Sequence, residues 1–270
     1  MLNLFEKISF GVSVLDEIVK EGYPRRSLIL FVGEGGIGKS VFLVLLAKHR
    51  LYLNEPALYV CLDNDPLSVA ETFENFKVNV DYFAKRKLLG FIDCYSFRVS
   101  TVYRENYSYV LKSADPRDLN HLTQTIIETA AELSMNNRGC VIIDSLNEIF
   151  LYNDLTRVSD FLKETRYVVA RHYGASIFAT IHVGLSKWEE LRSMIEHLAD
   201  GVVEFRLEPS LSEAGVSIRQ VRVKKMRGVS HDMNWHSFTI TEEGIVPLKV
   251  KIKYSEEDNL ERDDEKAKRG

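Results

Sequence analysis

The chain has 270 residues, 45% of them hydrophobic and 27% charged, with a formal net charge of −4 at pH 7. That apolar share supports a sizeable core and excludes global disorder, while the acidic balance excludes a protein drawn to nucleic acid by overall charge. No apolar stretch reaches the roughly 18 residues of a membrane helix, and residues 1–6 lack the basic-then-apolar plan of a signal peptide, so no membrane insertion and a cytoplasmic location are expected.

In chain order, residues 27–32, Ser-Leu-Ile-Leu-Phe-Val, read as a buried strand. They run into Gly33, Glu34, Gly35, Gly36, Ile37, Gly38, Lys39 and Ser40, which have the spacing Gly-x4-Gly-Lys-Ser, and residues 41–48 continue as an apolar helix starting at Val41. A glycine-rich loop between a strand and a helix N-terminus is a P-loop. Its glycines let backbone N–H groups converge on a phosphate chain without β-carbons in the way, and the helix dipole adds partial positive charge. The backbone from Gly33 to Val41 is therefore expected to hold the phosphates of a nucleotide. Lys39 is expected to reach the β and γ phosphates and the Ser40 hydroxyl to ligate Mg2+.

Residues 57–62 read as a second buried strand, ending in the acidic stretch Asp63-Asn64-Asp65-Pro66. A helix over 68–76 and a strand over 88–94 follow. Residues 95–112 have poor periodicity and interleave Tyr95, Phe97, Tyr103, Tyr107 and Tyr109 with Arg98, Arg104 and Lys112. Asp115-Pro116 is expected to open a helix running to about 134. Residues 139–144 form a strand ending in Asp144, followed by a helical region to about 173, a strand over 175–181 and a helix over 188–198. From 202 onward the pattern becomes short alternating strands, 202–207, 217–226 and 237–248, the last interrupted at 242–244; these suggest an antiparallel edge on an otherwise parallel sheet. Cys61, Cys94 and Cys140 lie inside apolar strand-like runs without paired spacing, as buried free thiols do. Residues 253–270 are almost wholly charged and read as a disordered tail, which leaves 1–252 as one ATPase domain; no internal repeat is present.

The apolar strand ending in Asp144 is the pattern that supplies a second Mg2+-holding carboxylate to a P-loop. Neither an Asn-Lys-x-Asp run nor an Asp-x-x-Gly loop is present, which makes adenine, and hence ATP, the expected base and nucleotide. Four further segments accompany the P-loop: Phe10-Gly-Val-Ser-Val-Leu-Asp-Glu17 with Gly22-Tyr-Pro-Arg-Arg-Ser27; Val141-Ile-Ile-Asp-Ser145; Glu196-His-Leu-Ala-Asp-Gly201; and Lys225-Met-Arg227 with His231 and Gly244-Ile245. On these pieces the chain, over about residues 8–248, resembles the KaiC and RadA branch of the RecA-like ATPases.

The resemblance implies an α/β fold: a RecA-like core whose mostly parallel twisted sheet is flanked by helices, with the strand over 175–181 between those ending in the P-loop and in Asp144. His182 and Thr180 are then expected near the γ-phosphate as polar sensors. The family also implies an acidic general base after the 57–62 strand, commonly two glutamates, a residue and a proline, where this chain has Asp63, Asn64, Asp65 and Pro66. If Asp63 is the base it is one methylene, about 1.5 Å, shorter than glutamate. If Asn64 fills the slot it cannot take the proton. Either way the expectation is nucleotide binding with weak hydrolysis; a plain helix-capping role for Asp63 and Asp65 is the alternative. In KaiC-like proteins the residues matching Lys225 and Arg227 reach the neighbouring subunit's nucleotide, which implies self-association as a ring or filament. The leading reading is thus a nucleotide-gated switch acting with an unnamed protein partner. Another is a RadA paralogue that binds single-stranded DNA through residues 95–112 and modulates recombination. A small-molecule kinase would need an arginine-rich lid that the sequence does not supply.

Overall fold

The computed structural model describes residues 6–99, 106–209 and 217–248. A two-residue ribbon of β1 (Lys7–Ile8) and β2 (Tyr23–Pro24) brackets the short helix α1 (Ser13–Ile18). Then come β3 (Leu28–Gly33), α2 (Lys39–Tyr52), β4 (Ala57–Cys61), α3 (Pro66–Asn75), α4 (Val80–Lys85), β5 (Leu89–Asp93), a 3-10 turn at Ser96–Arg98 and β6 (Val110–Ser113). The chain continues with α5 (Leu119–Glu132), β7 (Cys140–Asp144), α6 (Leu146–Tyr152), α7 (Leu155–Thr165), a π-helical turn at Arg166–His172, β8 (Ser176–His182) and α8 (Ser186–Ile195). It closes on β9 (Gly201–Leu207), β10 (Arg219–Met226), β11 (His236–Thr241) and β12 (Gly244–Pro247).

Among the described residues ten strands form one sheet in the order β12-β11-β10-β9-β3-β8-β7-β4-β5-β6. From β9 to β6 every pairing is parallel, and β10, β11 and β12 add antiparallel neighbours at one side. The central strands are apolar without alternation because both faces are covered. Ile29 and Phe31 point into one core with α1 to α4, and Leu28, Leu30 and Val32 into the other with α5 to α8. The expected placing of β8 between β3 and β7 is what the sheet has.

One local expectation is corrected and two are refined. Asp115-Pro116 does not open a helix but forms a turn closed by the Asp118 N–H to the Asp115 carbonyl, and Asp118 itself caps α5 through the His121 N–H. The stretch after Asp144 is α6, α7 and the π turn, because Asp154 restarts the helix by accepting from Arg157 N–H. Within the irregular segment, Val110–Ser113 is a strand, its pattern obscured because alternate side chains are only partly covered at the sheet edge. The charged tail at 253–270 lies outside the described residues.

Candidate nucleotide site

Parallel sheets present their ligand sites at the carboxyl ends of the strands, where loops lead into helices. Here β3 delivers the P-loop, β4 delivers Asp63 and Asn64, β7 ends on Asp144, and β8 ends on His182, which lies in register with Gly33. Four segments distant in sequence thus meet at one rim of the sheet.

The P-loop is packed below and open above. A β-carbon on Gly38 would meet Ile240 Cδ1 at 2.8 Å, and one on Gly33 would meet Phe205 Cβ at 2.8 Å, whereas on Gly35 or Gly36 it would meet nothing within 4 Å. Gly36 and Gly38 take φ of 74° and 111°, which only glycine adopts freely. Gly38 also starts the 14-residue α2 without a side-chain cap, so the first N–H groups of that helix face the open side of the loop. Lys39 is buried, at 4% exposure, and its Nζ donates to the Gly33 and Glu34 carbonyls at 2.7 Å each. Burial pushes its pKa down to about 8, although Asp144, Asp63 and Glu34 pull the other way. A cation this strained by desolvation gains from a phosphate charge placed beside it.

Asp144, also buried, has a donor on each carboxylate oxygen: Tyr59 Oη at 2.6 Å on Oδ2, and the Thr180 hydroxyl on Oδ1. Tyr59 lines a cavity of about 110 Å³ together with Ser40, Asn64 and Ser68. One carboxylate and one hydroxyl are the oxygen donors Mg2+ takes when phosphates and waters complete its shell, so the residues fit the ion. Among the described residues no group of three or more His, Cys, Asp or Glu forms a protein-only metal cage.

Asp63 sits at the other side of the rim. Its Oδ1 accepts from Ser145 Oγ at 2.7 Å, and its Oδ2 is 2.7 Å from His182 Nε2. Burial alone would raise its pKa; the bonds from His182 and Ser145 hold it below the usual carboxylate range. His182 Nδ1 lies 3.1 Å from Lys39 Nζ, so the imidazole bridges the P-loop lysine and Asp63. Both backbone groups of His182 are gripped by Asn147, whose Oδ1 accepts from its N–H at 2.7 Å and whose Nδ2 donates to its carbonyl at 3.1 Å. The capping alternative is divided: Asp65 caps α3 through the Ser68 N–H at 3.1 Å, and Asp63 caps nothing.

Tyr59, Ser145 and Asn147 escaped the sequence reading. A tyrosine in an apolar strand signals only core, and a polar residue three positions past Asp144 becomes informative only when its α6 position is seen to be 4% exposed.

The structure does not bring Lys225 and Arg227 to the P-loop of their own chain. Met226 pairs with Gly201, and Gly201 with Ile29, at the end of β3 opposite Gly33 and about 13 Å from it at the strand rise. Lys225 Nζ donates to the Glu196 and Ala199 carbonyls at 3.1 and 2.7 Å. Burial and the neighbouring Arg227 lower its pKa. Arg227 reaches the His197 carbonyl at 3.2 Å and Asp200 at 3.4 Å, a carboxylate already held by Arg166 at 2.6 Å.

In the aromatic and basic segment, Arg98 is paired with Glu148 and lies over the Phe97 ring at 4.4 Å, and Lys112 bonds Glu128 and Glu132 at 2.6 and 3.0 Å. Tyr109 is buried against Phe91 and stacked on Tyr107. The described cations here neutralise the chain's own carboxylates; Tyr103 and Arg104 lie outside the described residues. No helix among the described residues is long and apolar enough to cross a membrane.

A P-loop on β3, a strand-terminal acid two strands away on β7 and β8 between them define a RecA-like P-loop ATPase fold. A family model described as "ATPase: KaiC" matches residues 8–251, and the chain belongs to that family. It is 28% identical over 243 residues to a UPF0273 protein of Thermotoga maritima, covering 90% of this chain and 96% of that one. A UPF0273 protein of Methanopyrus kandleri is 28% identical over 250 residues, covering 92% and 95%. Among solved structures, a KaiC-like protein from the hyperthermophilic archaeon Pyrococcus horikoshii OT3 superposes with a TM-score of 0.70 at 18% identity, over 91% of this chain and 100% of that chain.

Proposed function

We propose that the protein, with residues 1–252 as its working unit, binds ATP with Mg2+ and acts as a nucleotide-gated oligomeric switch whose hydrolysis is weak. The observation that carries this reading is the separation of Lys225 and Arg227 from the P-loop of their own chain. The P-loop, Asp144 and His182 lie at one end of the sheet, and Lys225 and Arg227 lie at the other, too far from their own P-loop to act on it. A head-to-tail copy would bring these two cations onto its neighbour's P-loop, so that a triphosphate bridges two subunits and its loss loosens the contact.

In the bound state the backbone N–H groups of Gly33 to Val41 and the Lys39 ammonium hold the phosphates, and Ser40 and Asp144 hold the metal. Bound Mg2+ supplies charge neutralisation for the β and γ phosphates. Weak hydrolysis is supported by Asp63: both of its oxygens already accept from other side chains, and it is one methylene shorter than the glutamate common in the family.

The test is particle mass and turnover measured together, with and without Mg-ATP. Nucleotide-dependent assembly in the wild type, absent in Lys225→Ala/Arg227→Ala, is the expected result. A strict monomer in both conditions would sink the switch, and turnover typical of a motor would sink the weak hydrolysis.

A further inference from the structure

The bridge from Lys39 through His182 to Asp63 assigns more than a sensor role to the imidazole. His182 Nε2 faces a carboxylate, which only accepts, so Nε2 carries the hydrogen and Nδ1 presents its lone pair. That lone pair faces Lys39 Nζ at 3.1 Å, the ammonium that a P-loop directs at the β and γ phosphates. The bonds from His182 and Ser145 hold Asp63 below the usual carboxylate range, which makes its carboxylate a weak acceptor for a water proton. The ring extends its reach instead. Asn147 fixes the backbone on both sides, and the register with Gly33 keeps the ring at the P-loop. The charged groups facing the ring are Lys39 from the start of α2 and Asp63 from the end of β4; Asp144 and Glu34 act on Lys39 itself.

We propose that His182, oriented by Asp63, is the proton acceptor for the water that attacks the γ-phosphorus, and so the residue on which the slow hydrolysis depends. The water oxygen bonds to the γ-phosphorus while the bond from that phosphorus to the β,γ-bridging oxygen breaks, its electron pair leaving on ADP. With the Lys39 ammonium turned from Nδ1 onto the phosphates, one water proton passes to the freed His182 Nδ1, giving an imidazolium facing the Asp63 carboxylate, and is afterwards released to solvent. The arrangement is that of a carboxylate holding a histidine in the tautomer that accepts. It rests on the reading that ATP occupies the P-loop.

The test uses the full chain with Mg-ATP in single-turnover hydrolysis, a fluorescent ATP analogue for affinity, and nitrogen NMR of the imidazoles in nucleotide-free protein, assigned with His182→Gln. His182→Gln should lower the wild-type rate about 10²- to 10⁴-fold and leave analogue affinity within about threefold. Added imidazole should restore part of the rate to His182→Ala. NMR should find the Nε2–H tautomer in the wild type and its loss in Asp63→Asn. A His182→Gln rate equal to the wild type's, or an Nδ1–H tautomer in the wild type, overturns the proposal. Failure of the wild type to bind the analogue overturns the nucleotide reading itself, and the proposal with it.

Discussion

Replacing Lys39 with methionine should stabilise the nucleotide-free protein at neutral pH while removing its response to ATP. Burial lowers the Lys39 pKa from the usual 10.5 to about 8, so holding the ammonium charged in the fold costs about 3 kcal/mol at about 1.4 kcal/mol per tenfold. Methionine has a similar unbranched length and no charge to desolvate. Against this, the Gly33 and Glu34 carbonyls lose a donor, at about 0.5–1.5 kcal/mol each. The expected net gain is about 0–2 kcal/mol at pH 7, a rise of up to a few degrees in Tm for a domain of this size. The sign with pH follows from proton counting. The folded pKa lies below the unfolded one, so between about 8 and 10.5 the unfolded chain binds more protons and wild-type stability rises with pH. The penalty is complete below about 8 and gone above 10.5, so the variant's advantage should shrink across that window and then reverse. Urea unfolding of both proteins at pH 7, 9 and 10.5 checks this. Saturating Mg-ATP at about 100 times its Kd should add about 2.7 kcal/mol to the wild type and nothing to the variant. A variant less stable than the wild type at pH 7, or a gap that does not move with pH, would refute the reasoning.

The glycines of the loop should separate by what lies above them. Gly38→Ala places a β-carbon 2.8 Å from Ile240 Cδ1 at a φ of 111° and should cost about 1–3 kcal/mol in chemical denaturation, whereas Gly35→Ala, which meets open space, should stay within about 0.5 kcal/mol and lose only nucleotide affinity. Tyr59→Phe takes the donor from Asp144 Oδ2 and should weaken the Mg2+ dependence of analogue binding about 10- to 100-fold, read by titrating the metal at fixed nucleotide; an unchanged metal titration would mean that Thr180 alone positions the carboxylate. Because Lys225 and Arg227 lie at the far end of β3, their double alanine variant should keep the wild-type analogue affinity at protein concentrations too low for assembly; a tenfold loss there would contradict their placement.

The sequence by itself determined the P-loop, the Asp144 strand and the alternation of strand and helix, because each is a local pattern: glycine spacing, an apolar run ending in an acid, turn residues between runs. It also marked the antiparallel side of the sheet, since half-covered strands alternate visibly while doubly covered ones do not. Where helices begin was less legible around 115–119 and 146–173, because Asp caps compete and only the finished packing selects among them. The functional rim was decided by tertiary structure. Asp63 and His182 are 119 positions apart in the chain, and Tyr59 and Asp144 are 85 apart, so their meeting depends on β4, β7 and β8 lying side by side in parallel register. The division of labour between Asp63, which holds His182, and Asp65, which caps α3, has the same origin. Two aspartates two residues apart carry identical local chemistry, and what separates their roles is which distant side chain the fold places within hydrogen-bonding reach of each.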